Sequence, residues 1–153
     1  MSDVVVITGL AQGMGREVAK RLAAEGCRIA GYDLDAAGLS TQFRDDVLAT
    51  FGQVDTVLSN VGTGFFGPFE EVDLARAAKN LEINVIGTAA VFQAFLPAMR
   101  SRGVGKLIAM SSLVGQIPFP FEAIYTAAKF AVEGMVLSLR YEVEPFGIHV
   151  ALI

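Results

Sequence analysis

With 153 residues, 53% of them hydrophobic and 18% charged, the chain has material for one domain with a well-covered interior. A formal net charge of −4 and scattered basic residues leave no electrostatic footprint for nucleic acid, and no run of about 18 uncharged apolar residues offers a membrane span. One cysteine, Cys27, and one histidine, His149, allow no intrachain disulfide and make a dedicated zinc site a poor expectation.

The opening "MSDVVVITG" lacks the basic region and cleavage site of a secretory signal, so a cytoplasmic location is expected. Short apolar runs then alternate with helical patterns. "VVVIT" (4–8), "RIAGY" (28–32), "TVLSN" (56–60), "KLIAMS" (106–111) and "HVALI" (149–153) read as strands. They are nearly continuous in apolar character, as parallel strands covered on both faces are. Helices are expected over Gly13–Glu25, Ser40–Phe51, Asp73–Arg102 and Ala123–Glu144. The alternation predicts an α/β fold, a Rossmann-like doubly wound parallel sheet of about five strands spanning 1–153 as a single domain. Cys27 and His149 both read as core residues.

The first strand runs directly into "TGLAQGMGRE". Gly9, Gly13 and Gly15 stand where a strand turns into a helix, and glycine lets the backbone turn tightly and lie close to a ligand. The helix N-terminus then offers unpaired N–H groups and a positive dipole end to a pyrophosphate. The second strand ends on Asp33, 18 residues past Gly15. A carboxylate there can accept both ribose hydroxyls of an adenosine and repel a 2′-phosphate, which favours NAD over NADP. A polar residue ending a strand is the other reading of Asp33, and ribose binding is the better one given the glycines.

Tyr125 and Lys129 in "YTAAK" stand four apart. On a helix they share a face. That pentapeptide alone is compatible with an ordinary helix surface.

Taken together, these motifs resemble the short-chain dehydrogenase/reductase family, in its ordinary branch. "TGLAQGMG" matches the TGxxxGxG loop. "SNVG" (59–62) resembles NNAG, with Ser59 and Val61 as departures. "LEINVIGT" carries Asn84 at the place of a helix-kink asparagine. "AMSSLVGQ" carries Ser112, 13 residues before Tyr125, and "YTAAK" matches YxxxK. The resemblance implies interconversion of a secondary alcohol and a ketone, with the tetrad Asn84, Ser112, Tyr125 and Lys129. Tyr125 would be the acid/base. A free phenol holds its proton to about pH 10, and a cation one helical turn away favours the phenolate. Ser112 would bond the substrate oxygen, Lys129 would hold a ribose, and Asn84 would hold a water that relays protons through Lys129. The cofactor-binding set implied is Gly9, Gln12, Gly13, Met14, Gly15, Asp33, Leu34, Asn60 and Gly62, together with Tyr125 and Lys129. Gln12 supports NAD, since NADP-binding members often carry a basic residue there.

Phe65, Phe66, Phe69, Phe119 and Phe121 border the expected cleft and suit an apolar or ring-shaped alcohol or ketone, or else packing and subunit contacts. The two long helices are where the family forms homodimers or homotetramers. Two family segments have no counterpart. Only "LDAAGL" separates the second strand from Ser40, where a helix and a third strand are expected, and a Pro-Gly loop with a substrate-covering segment is expected beyond "HVALI". The sheet is therefore expected in the order 2-1-3-4-5, with one face guarded by a single helix. A closed-up gap is expected between Ala36 and Thr41, near Leu39–Ser40, so that the 153 residues read as a fragment or gapped chain. A dinucleotide-binding or interaction domain that has lost its substrate lid is the reading of a different class.

Overall fold

The computed structural model describes residues 2–32 and 41–153. Strands β1 (Val4–Thr8), β2 (Arg28–Tyr32), β3 (Thr56–Ser59), β4 (Gly105–Ala109) and β5 (Ile148–Leu152) form one parallel sheet in the order β2-β1-β3-β4-β5. Helices α1 (Gly13–Ala24), α2 (Thr41–Phe51), α3 (Leu74–Leu81), α4 (Gly87–Arg102) and α5 (Ala123–Val143) flank it. This is the expected Rossmann-like sheet in the expected order. Asp33, Leu34 and the stretch from Ala36 to Ser40, where a closed-up junction is expected, lie outside the described residues.

The sequence explains the layering. β1 is β-branched at each position and buried at all five, as a strand between two neighbours and two layers must be. Its even positions, Val4 and Val6, join Val57, Leu107 and Ile148 on one face, under Val47 of α2, Phe92, Phe95 and Met99 of α4, and Val132 and Val136 of α5. Its odd positions, Val5 and Ile7, join Leu58 on the other face, where Ala19, Val18 and Leu22 of α1 pack. Among the described residues α1 is the only helix contributing to that second cluster. Burying a phenylalanine such as Phe95 stabilises the larger face by about 1.5–3 kcal/mol.

β4 and β5 show the consequence of uneven cover. Burial along β4 alternates, with Lys106 exposed. The register puts Lys106 beside His149 and Ile108 beside Ala151 on the α1 side. His149 is exposed, against the expectation of a core position. The strand is apolar enough to suggest two covered faces, but its edge place in the sheet leaves one of them open.

Residues Leu74–Arg102 run as one long helix, interrupted by a π-helical segment at Glu82–Ile86. By length and composition it is apolar enough to cross a bilayer. Its apolar stripe of Val91, Phe92, Phe95 and Met99 is buried in the core. Asp73 starts the helix as an N-cap, its Oδ1 accepting from the Ala75 N–H at 2.8 Å, and Gly103 ends it in the left-handed conformation at φ 70°.

Candidate active site

β1 and β3 are where the strand order reverses, and the loops leaving their C-terminal ends are bound to each other. Thr8 Oγ1 accepts the backbone N–H groups of Asn60 at 3.0 Å and Val61 at 3.2 Å. In return, Asn60 Nδ2 donates to the carbonyls of Thr8 at 3.1 Å and Gly9 at 3.2 Å. The glycine loop is therefore held from across the crevice. Gly9 has φ +69°, and a Cβ on Gly15 would lie 2.3 Å from the Gly9 carbonyl and 2.5 Å from Asn60 Nδ2, so only glycine closes this turn. Gln12 is the N-cap of α1 and makes no side-chain capping bond, which leaves the first-turn N–H groups free of that partner.

Asn84 sits inside the π-helical segment, and its own side chain accounts for the segment. Its Nδ2 donates to the Asn80 carbonyl at 2.9 Å, the acceptor that its backbone N–H takes in a regular helix. The same Nδ2 donates to Thr63 O at 3.0 Å. Asn84 Oδ1 is buried without a protein partner. A Cβ on Gly62 would stand 2.7 Å from that oxygen and 3.4 Å from Lys129 Nζ, so glycine keeps the amide and the ammonium facing one small space.

Ser112 begins a 3₁₀ turn after β4, with its Oγ accepting from the Val114 N–H at 3.4 Å. Tyr125 and Lys129 lie in the first two turns of α5. Lys129 is 4% exposed, its Nζ donates to Met110 O at 2.9 Å, and it stands 5.7 Å from the centroid of the Tyr125 ring. Burial lowers the Lys129 pKa below the ordinary lysine value. Ser112, Tyr125 and Lys129 line one cleft of about 600 Å³ with Met14, Asn60 and Gly62. Gly9, Gln12, Gly13 and Gly15 build the adjoining loop, and Asn84 stands behind Gly62. Thus the structure brings these candidate residues together, while Asp33 and Leu34 lie outside the described residues.

Thr8 opens the glycine-loop motif, but its Oγ1 contacts to the facing loop form only in the fold. Two residues of the site had no sequence signal of their own, and Thr63 is one, accepting from Asn84 through its backbone carbonyl. Glu133 also lines the cleft and accepts from Ser111 Oγ at 2.7 Å. Its place two turns after Tyr125 was the one available clue, since it shares the face of Tyr125 and Lys129.

The arrangement suits a dinucleotide on three counts. The uncapped helix end can receive a pyrophosphate. The glycine loop has no room for side chains at Gly15, while nothing stands near a Cβ position on Gly13. Lys129 can donate to a ribose from the floor of the cleft, and the orphaned Asn84 oxygen can accept from a water beside it. A phenol, a hydroxyl and an ammonium around one cleft can bind an oxygen atom and move a proton to or from it.

A family model described as short chain dehydrogenase matches residues 3–44 and 32–153. Rat (Rattus norvegicus) estradiol 17-beta-dehydrogenase 1 is 34% identical over 182 residues, covering 99% of this chain and 53% of that protein. The chain thus spans about half the length of this curated relative. A short-chain dehydrogenase from Streptomyces avermitilis superposes with a TM-score of 0.90 at 31% identity, over 99% of this chain and 64% of its own. NAD⁺-bound xylitol dehydrogenase gives 0.90 at 25% identity, with 98% and 68% covered. An alcohol dehydrogenase from Thermococcus sibiricus, complexed with 5-hydroxy-NADP, gives 0.85 at 25%, with 99% and 75% covered. The two family matches overlap at 32–44, and an alignment of 182 positions exceeds the 153 residues available. Both fit a relative with extra chain between the second and third strands. Fold, loop and helix face agree with the match, and the chain belongs to the short chain dehydrogenase family.

Proposed function

We propose that the protein is an NAD-dependent oxidoreductase that interconverts a secondary alcohol and a ketone, with Tyr125 as the acid/base. The observation that carries this reading is the meeting of Tyr125, Lys129 and Ser112 in one cleft beside the glycine loop. The bound nicotinamide would supply or accept the hydride. The chain's own residues would do the rest. Ser112 Oγ would hold the substrate oxygen, Tyr125 Oη would give or take its proton, and Lys129 would favour the phenolate and hold a ribose hydroxyl. Asn84 Oδ1 would keep a water beside Lys129 through which the proton reaches solvent. Tyr125→Phe keeps the ring and removes only the proton-transfer group. It should lower turnover roughly 10²–10⁴-fold, the usual worth of a positioned acid/base, while the dissociation constant for NADH in a fluorescence titration stays nearly unchanged. Comparable turnover in the variant would refute the assignment. Cofactor binding without turnover of any alcohol or ketone in the full-length protein would favour the binding-domain reading.

The preference for NAD over NADP rests on Asp33 at the end of the second strand. Both cofactors are found among the solved relatives. Titration of each should give tighter binding of NADH, and Asp33→Ala should narrow the difference by removing both the ribose acceptor and the repulsion of a 2′-phosphate. Tighter binding of NADPH by the unaltered protein would sink this claim.

An apolar or ring-shaped substrate is supported by the wall facing Tyr125. The Phe66 ring lies 6.4 Å from the Tyr125 ring and packs over Gly64, where a Cβ would meet it at 2.5 Å. The Gly67 N–H donates to Phe121 O at 2.9 Å, tying the two phenylalanine-bearing loops together. Homo-oligomer formation is supported by an apolar groove of about 350 Å³ between α4 and α5, lined by Phe92, Leu96, Met135 and Leu139.

A further inference from the structure

We propose that Glu133 is a positioning residue, which clamps the turn carrying Ser112 onto the helix carrying Tyr125 through its hydrogen bond from Ser111. The proposal rests on the dehydrogenase reading for its kinetic consequence and on geometry alone for the clamp.

Tyr125, Lys129 and Glu133 are spaced four apart on α5 and all line the cleft. The first two have roles in the proposed reaction, and the third accepts from Ser111 Oγ at 2.7 Å. Ser111 is 8% exposed and is the backbone neighbour of Ser112. Its own N–H donates to Ile153 O at 2.7 Å, which fixes it to the end of β5. From there the chain enters a short turn in which the Gly115 N–H donates to Ser112 O at 2.9 Å. Gly115 is pressed onto the clamp itself. A Cβ there would lie 2.6 Å from Ser111 Oγ and 2.9 Å from Glu133 Oε1. The turn therefore rests on the Ser111–Glu133 pair.

Ser112 and Tyr125 come from different elements, and both must reach one substrate oxygen. Their separation is set by how the β4 turn seats on α5. Within 111–115, the Ser112 hydroxyl has only a 3.4 Å contact from the Val114 N–H and the Ser112 carbonyl bonds inside the turn to Gly115, whereas Ser111 makes two bonds of 2.7 Å to separate elements. The short bonds hold the residue next to the one that touches substrate.

The test uses the full-length protein with variants Glu133→Ala, Glu133→Gln and Ser111→Ala. Glu133→Ala removes the acceptor and should lower kcat about tenfold or more, since displacement by an ångström costs up to about 10²-fold, with cofactor affinity within about twofold. Glu133→Gln keeps an acceptor oxygen and should recover most of the loss. Ser111→Ala should match Glu133→Ala, and the double variant should be no worse than either, because both remove one interaction. Hydrogen exchange at the amides of Val114 and Gly115 should quicken in Glu133→Ala and return towards normal in Glu133→Gln. If Glu133→Ala fails to fold, Ser111→Ala carries the same comparisons. Unchanged exchange and kcat in the Ala variants, additive losses in the double variant, or equal damage from Gln and Ala would each overturn the clamp. An unaltered protein that binds cofactor but turns over nothing overturns the dehydrogenase reading instead, and the exchange rates then decide the clamp alone.

Discussion

A lysine taken out of water favours its neutral form, and Lys129 is held at 4% exposure with Met110 O as its hydrogen-bond partner. Its pKa is lowered by burial, so the unfolded chain binds that proton more readily than the folded one. Below the lowered value both states carry the charge, and the fold bears its full desolvation cost. As pH rises from the folded pKa towards the ordinary lysine value, that cost is relieved. The buried charge of Lys129 thus costs stability at neutral pH, which suits the proposed role of that charge towards Tyr125 and a ribose. Lys129→Met should abolish turnover and weaken cofactor binding, yet leave the thermal midpoint at pH 7 equal or up to roughly 4 °C higher, the shift that about 1 kcal/mol gives a domain of this size. Calorimetry of the two proteins checks this, and a midpoint more than about 5 °C lower would show that Lys129 is a net structural support. The pairing of Tyr125 with Lys129 was legible in the sequence because helical spacing alone puts them on one face. The burial of Lys129 was not, since it depends on Met110 and Gly62 arriving from two other loops.

Asp55 works at the scale of elements, joining the starts of two strands to the end of a helix. Its Oδ2 accepts the Val4 N–H at 2.8 Å, and its Oδ1 accepts Arg102 Nη2 at 2.7 Å, while Arg102 Nη1 reaches Val54 O at 2.7 Å. Partial burial by itself raises the Asp55 pKa, and the bonds from Val4, Arg102 and Gln53 together outweigh it, so the carboxyl lies below its ordinary value. The stability it contributes is complete above the unfolded pKa and is lost as pH falls through the folded one. Asp55→Asn should cost about 1–3 kcal/mol at pH 7, as expected for a hydrogen-bonded charge with partners left unpaired. The cost should shrink as pH falls below about 4, the ordinary aspartate pKa. Urea melts at pH 7 and pH 3.5 measure both, and an equal cost at the two values would remove the ionised carboxylate from the account. Strand and helix placement was readable to within a residue or two from apolar runs and caps. The resemblance marked Asn84 as a helix-kink asparagine, but the π-helical form of that kink was not readable from spacing, because it arises when the Asn84 side chain takes the Asn80 carbonyl, and nothing in "NLEIN" forces that choice over a regular turn. Glu133 was hidden for a similar reason, its partner Ser111 lying 22 residues away.

The sheet as a whole has a weak side, and β5 marks it. Among the described residues β5 pairs only with β4. Ile153 turns both its N–H and its carbonyl towards that side, to Ala109 O and the Ser111 N–H. Alternation along the strand then points the N–H groups of Val150 and Leu152 to the outer edge. Beside that edge stand Ala151 and Ile153, both exposed, on the α1 side of the sheet but beyond the strands that α1 covers. An edge with free backbone groups and apolar neighbours is a template for another strand. The 153-residue chain by itself should therefore self-associate at about 10 μM, a concentration at which unpaired edges associate. Sedimentation should show species heavier than the monomer, and the Val150 and Leu152 amides should exchange slowly. Ala151→Lys puts a charge on the edge without touching the core, so it should shift the population towards monomer and speed exchange at those two amides. The groove between α4 and α5 lies on the opposite face of the sheet from Ala151, so association through that groove alone would leave Ala151→Lys as oligomeric as the unaltered chain. A monomeric unaltered chain with fast-exchanging Val150 and Leu152 would show that the open edge is tolerated and that the uneven cover of the sheet carries no tendency to pair.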